Sequence, residues 1–216
     1  TEGAVKTWQA NNKLTVDGIV GPSTWNAMGL ASTDVEESYY ETENCLKIHR
    51  HFLPAHEYMT GSNPEYIFLH HTAGWNNPFR TIDHWGRDSR GRIATEFVLG
   101  GQSVKGDDNK YDGVLVQCMP QGGWGWHLGT GRSDMHQNSV GIEVNNFDKQ
   151  IEVLRAWIIW IGERDNIDIR AGLPTLIKTI GVDAFEYIPE VLRGKCKGLW
   201  THTNVRKDKS DMFPQP

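Results

Sequence analysis

Tyr66-Ile67-Phe68-Leu69, followed at once by His70-His71, is the stretch that decides the fold. A short apolar run of this kind reads as a buried strand. The two histidines then stand at a strand end, where a rigid sheet presents side chains to a cleft. Working outward, Phe97-Val98-Leu99, Val114-Leu115-Val116 and Val140-Gly141-Ile142-Glu143-Val144 read as further strands. Gly198-Leu199-Trp200-Thr201 is a last one, and it runs directly into His202. Between them, Ile151 to Glu163 has helical periodicity, with Val153, Leu154, Trp157, Ile158 and Ile161 on its buried side. Ala184 to Arg193 reads as a second helix. Strands mixed with helices predict an α/β fold in which a central, mostly mixed β-sheet is flanked by helices.

The chain has 216 residues, enough for one domain and a smaller unit, and enough to bury a core without disulfides. Its net charge is -5, with no Lys/Arg block or basic stripe, which argues against a nucleic-acid partner. No apolar run approaches the roughly 20 residues of a membrane span. Three scattered cysteines, Cys45, Cys118 and Cys196, argue against a disulfide framework or a cysteine-rich metal site. Buried free thiols are expected, with a Cys45–Cys196 bridge as the alternative. Nine tryptophans tilt the reading toward a carbohydrate-containing ligand, although most Trp residues serve cores.

Residues 1–30 form a separate small unit. Ala4, Val5, Trp8 and Gln9 fall at helical spacing, Asp17-Gly18 marks a turn, and Gly21-Pro22-Ser23-Thr24 opens a second helix. The pattern resembles the second half of the common peptidoglycan-binding module of three short helices. Its first helix would lie upstream of Thr1, so the resemblance implies a partial module. Residues 31–44 are polar and acidic without a period, and read as a linker. The domain expected beyond it spans 45–216.

Two strand-end histidines, His70 and His202, are joined by Asp211, nine residues after His202, with Lys209 just before it. Two imidazoles and a carboxylate suit a catalytic zinc, which takes three protein ligands and leaves one position open. On their own these residues leave that site open beside the plainer reading of satisfied or solvated histidines.

Four segments carry a more specific signal. Ile67-Phe68-Leu69-His70-His71-Thr72-Ala73, Trp126-His127-Leu128-Gly129, Asn138-Ser139-Val140-Gly141-Ile142-Glu143 and Thr201-His202 with Lys209-Ser210-Asp211 occur in order along the chain. Together they resemble the type 2 N-acetylmuramoyl-L-alanine amidases, the superfamily that includes phage lysozyme amidases and peptidoglycan recognition proteins. The resemblance implies one zinc per chain held by His70, His202 and Asp211. It implies Glu143 as general base and Lys209 facing the reacting carbonyl. Trp126 and His127 are expected to meet substrate. Many relatives have His where this chain has Glu96, so Glu96 is expected near the cleft, holding Lys209 or His127 or tuning substrate choice. His71 is expected to face the other side of the strand end, His84 to sit on a surface helix, and His51, His56 and His136 to have no role.

The implied reaction cuts the amide between N-acetylmuramic acid and L-alanine of peptidoglycan. The setting would be the bacterial cell wall, through a phage endolysin released to the periplasm or wall, or a secreted bacterial remodelling enzyme. A monomer is expected. A non-catalytic recognition protein and a zinc peptidase cutting within the stem peptide are the alternatives. Related chains continue into a final helix where this one stops, at Pro214-Gln215-Pro216.

Overall fold

The computed structural model describes residues 2–18, 24, 39–72, 76–102, 109–144 and 147–210. Contacts divide the chain into two compact units, Thr1–Ser38 and Tyr39–Pro216.

In the first unit, helix α1 (Glu2–Asn11) buries Gln9. That polar side chain organises the turn that follows. Its Nε2 donates to Asp17 Oδ1 at 2.7 Å and to Thr24 Oγ1 at 3.1 Å, and its Oε1 accepts from the Gly18 N–H at 2.8 Å. A buried amide is stable only when its groups are satisfied in this way. Of the expected second helix only Thr24, which is helical, lies within the described residues.

Among the described residues the second unit has nine strands: β1 (Tyr39–Glu41), β2 (Lys47–Arg50), β3 (Met59–Thr60), β4 (Tyr66–His71), β5 (Phe97–Leu99), β6 (Leu115–Gln117), β7 (Gly123–Trp124), β8 (Ser139–Val144) and β9 (Gly198–Thr201). Seven form one sheet in the order β1-β2-β6-β5-β8-β4-β9, while β3 and β7 pair separately. The sheet is mixed: β5, β8, β4 and β9 run parallel, whereas β6 is antiparallel to β5 and β1 to β2. Helices α2 (Pro78–Trp85), α3 (Ser133–Gln137), α4 (Phe147–Arg164), α5 (Leu173–Ile180) and α6 (Pro189–Leu192) complete the unit.

Alternation along the strands gives the sheet two apolar faces. Ile67, Leu69, Phe97, Leu99, Val140, Ile142, Val144 and Leu199 pack with Leu154, Trp157 and Ile161 of α4. Tyr66, Phe68 and Trp200 point the other way, onto Leu128, Met135, Leu173 and Val191. Full burial of side chains of this size contributes roughly 1.5–3 kcal/mol each, so the two layers rather than any covalent staple hold the sheet.

The long helix and the last strand lie where periodicity predicts them, and the differences have local causes. The expected helix over 184–193 is a 3-10 turn, Gly181–Phe185, followed by the short α6. Pro189 cannot donate a backbone hydrogen bond and disfavours helical conformation in the residue before it. Ile188 is accordingly extended, at φ -120 and ψ 103. α5 was not foreseen. Tyr39–Glu41, read as linker, pairs with β2 at the sheet edge. The cysteines are all free, and only Cys118 is buried, so Cys45 and Cys196 form no bridge. His84 lies in the last turn of α2, which Asn77 caps through its Oδ1.

Candidate active site

Parallel pairing brings the decisive residues to one edge of the sheet. His70 of β4 is in register with Glu143 of β8, and Leu69 is in register with Thr201 of β9. His202 therefore follows β9 at the level of His70. Strand alternation turns His70, Glu143, Gly141 and Ser139 to one face and His71 to the other. The His70 and His202 rings are both buried, with centroids 4.5 Å apart. Immediately after His202 the chain turns back, because Asn204 Oδ1 accepts from the Thr201 N–H at 3.0 Å and its Nδ2 donates to the Ala184 and Glu186 carbonyls.

Each of these imidazoles is oriented by a specific partner. His202 Nε2 lies 3.0 Å from the Leu128 carbonyl. A carbonyl only accepts, so Nε2 carries a proton. His70 Nε2 is 3.0 Å from His127 Nδ1, and His127 Nε2 is 2.8 Å from Ser139 Oγ. Burial, then the neighbouring His202, His127 and Lys209, hold the His70 pKa well below the usual imidazole range. Burial also depresses His127, with His136 and His202 adding to it. His136 is fully buried under the Trp126 ring, at 4.8 Å between centroids. Its Nδ1 accepts from the His127 N–H at 3.0 Å, with a longer approach from Leu128, and its Nε2 faces the Thr130 carbonyl at 3.2 Å. The residue given no role in sequence thus shapes the loop that carries His127 and Leu128.

Glu143 accepts a hydrogen bond from Thr72 Oγ1 at 2.9 Å. Thr72, directly after β4, and Ser139 were missed as site residues; the period of two along Ser139-x-Gly141-x-Glu143 was the available signal. Lys209 is exposed but close enough for its charge to depress His70. It helps line a cavity of about 630 Å³ with Tyr187, Thr203, Arg206 and Lys207. Asp211 lies outside the described residues. Among those residues there is no group of three His, Cys, Asp or Glu side chains placed to hold a metal ion. What they do supply suits zinc: a buried His202 whose Nε2 is committed to the Leu128 carbonyl, and beside it a second imidazole whose pKa burial lowers.

Glu96 stands apart from this group and is a correction to the expectation that it partners Lys209 or His127. Its side chain is 5 % exposed and pairs with Arg164 at the end of α4, at 2.8 and 3.1 Å, while Gln117 Nε2 donates to it at 3.0 Å. Burial pushes its carboxyl up, and Arg164 and Gln117 pull it back. The doubly hydrogen-bonded guanidinium stays charged, its pKa raised by Glu96 and Asp165 against burial. Trp126, half-buried, stacks edge-on between Trp124 and His136.

A mixed sheet gathering two histidines and a glutamate at parallel strand ends sets imidazoles beside a carboxylate, groups suited to hydrolytic chemistry. The comparisons name the family. The model described as N-acetylmuramoyl-L-alanine amidase matches residues 60–211, well over half of the chain, and the chain belongs to that family of enzymes acting on peptidoglycan. A peptidoglycan-binding domain model matches residues 1–28. Among solved structures, the chain is similar to a mutant endolysin from Bacillus subtilis, with 22% identity over 56% of this chain and 79% of that one and a TM-score of 0.45. It is also similar to the N-acetylmuramoyl-L-alanine amidase LysC from Clostridium intestinale URNW, with 18% identity over 76% and 89% and a TM-score of 0.46. For PlyL the figures are 13%, 72%, 80% and 0.47. A comparison with curated proteins finds no significant match. No helix among the described residues is long and apolar enough to cross a membrane.

Proposed function

We propose that the protein is a zinc-dependent hydrolase of the amide bond between N-acetylmuramic acid and L-alanine, acting in lysis of the bacterial cell wall. The observation that carries the reading is the alignment of His70 and Glu143, on adjacent parallel strands, with His202, directly after the next one. His70, His202 and Asp211 would hold zinc, which would supply the Lewis acidity that makes water a nucleophile near neutral pH. Glu143, oriented by Thr72, takes a proton from the attacking water as its oxygen bonds to the amide carbon. That proton passes to the departing L-alanine nitrogen as the carbon–nitrogen bond breaks. The Lys209 ammonium faces the carbonyl oxygen as it becomes negative. Trp126 offers an aromatic surface to the substrate, and residues 1–30 hold the wall through their binding module.

Purified peptidoglycan is the test substrate. Release of new L-alanine amino termini and lactyl-linked muramic acid, abolished by chelator and restored by zinc, is the expected result. Cleavage between stem-peptide residues points instead to a peptidase. Wall binding without any cleavage points to a recognition protein.

A further inference from the structure

We propose that His127 acts on His70 rather than on substrate: His127 and Ser139 together decide which nitrogen His70 turns toward the ligand cluster. The proposal deepens the zinc reading and rests on it. Ser139 has one hydroxyl proton, and its Oγ lies 2.7 Å from the Met135 carbonyl, with the His136 carbonyl farther away at 3.2 Å. Both oxygens only accept, so the proton is committed there and Oγ must accept from His127 Nε2 at 2.8 Å. With its one proton on Nε2, the His127 ring presents the lone pair of Nδ1. His70 Nε2, 3.0 Å away, must donate to it. The lone pair of His70 is thereby left on Nδ1, and at His202 the Leu128 carbonyl likewise takes the Nε2 proton.

One backbone acceptor, at Met135, thus sets the direction of a chain of three hydrogen bonds ending on a proposed ligand. Both ring nitrogens of His127 are used within the protein, which leaves neither to bind substrate. The sequence makes room for this arrangement. A Cβ on Gly141 would stand 3.0 Å from His127 Nδ1, so the glycine between Ser139 and Glu143 is what admits the ring. A metal ligand usually donates its second N–H to a carboxylate, a carbonyl or water. Here the acceptor is another imidazole, whose own tautomer must be fixed by a further group, and Ser139 supplies that.

The first arm of the test uses the unaltered, metal-free protein. Two-bond proton–nitrogen NMR of the imidazoles should find His70, His127 and His202 all protonated on Nε2. Finding His70 protonated on Nδ1 overturns the proposal. The second arm measures zinc affinity by chelator competition. His127→Leu should bind zinc roughly 10–100-fold more weakly, the usual effect of losing a ligand's hydrogen-bond partner. His127→Asn puts Oδ1 where Nδ1 was and should recover most of that loss. Ser139→Ala, which frees His127 to change tautomer, should fall between them, with KM unchanged. Unaltered zinc affinity in His127→Leu, with KM raised instead, makes His127 a substrate residue and overturns this proposal alone. No zinc binding by the unaltered protein overturns the zinc reading beneath it.

Discussion

Gly141→Ala is the most demanding test of how the site is packed. A Cβ added at this position would lie 2.9 Å from Thr95 Cγ2 and 3.0 Å from His127 Nδ1. Ordinary carbon contacts begin about half an ångström farther out, so both neighbours must yield. Overpacking of this kind costs roughly 1–3 kcal/mol. Replacing glycine also restricts the unfolded chain, which returns about 0.4–1 kcal/mol. The balance is a loss of up to about 2.6 kcal/mol, or up to about 10 °C in Tm for a chain of this length. The second effect is local. Moving His127 by about 0.4 Å stretches its 3.0 Å contact with His70 to the outer limit of a hydrogen bond. Thermal unfolding and zinc competition should therefore both register the change. Adding Thr95→Ser removes the Cγ2 contact while keeping the hydroxyl that donates to the Phe97 carbonyl, and should recover Tm more than zinc affinity. A Gly141→Ala protein that melts and binds zinc like the unaltered one would refute the packing on which the role of His127 depends.

Other expectations follow from the same geometry. Glu143→Gln keeps an oxygen for Thr72 but loses the proton acceptor, so peptidoglycan hydrolysis should drop roughly 10²–10⁴-fold while zinc content and Tm stay near wild type; activity within tenfold of wild type moves the base elsewhere. Lys209→Met should slow turnover on the order of a hundredfold. Lys207→Met should be nearly silent, because the Lys207 ammonium sits 5.1 Å from the Tyr187 ring centroid; equal effects in the two variants return Lys209 to the surface. Arg164→Met leaves Glu96 and Asp165 without their cation and should cost roughly 3–5 kcal/mol in denaturant unfolding. Adding Glu96→Gln should recover part of that loss, and no recovery argues against the buried pair.

The lesson of Glu96 concerns reach. A carboxylate just before β5 could have turned to either side of the sheet, and from the chain alone its partner looked like Lys209 or His127. Its partner is Arg164, 68 residues away at the end of α4. Nothing local marks that pairing, because it exists only once α4 packs across the strands. His136 shows the converse. It carries no motif, yet its Nδ1 accepts from the backbone N–H of His127 and Leu128 and so holds the loop that orients both proposed histidine ligands.

What was legible in the sequence was whatever short range encodes. Runs such as Ile67-Phe68-Leu69 and Leu199-Trp200 declare strands because an apolar run of strand length has few other stable uses. The period of 3.6 through Val153, Leu154, Trp157 and Ile161 declares α4 for the same reason. The histidines at two strand ends, and the Ser139-x-Gly141-x-Glu143 alternation, were visible as patterns. Only the tertiary structure decided their meaning. Parallel pairing of β8, β4 and β9 in one register stands Glu143, His70 and His202 side by side, though they come from distant parts of the chain. The direction of each hydrogen bond among the imidazoles was likewise invisible, since a proton's position on a ring depends on which fixed carbonyl the fold brings against it.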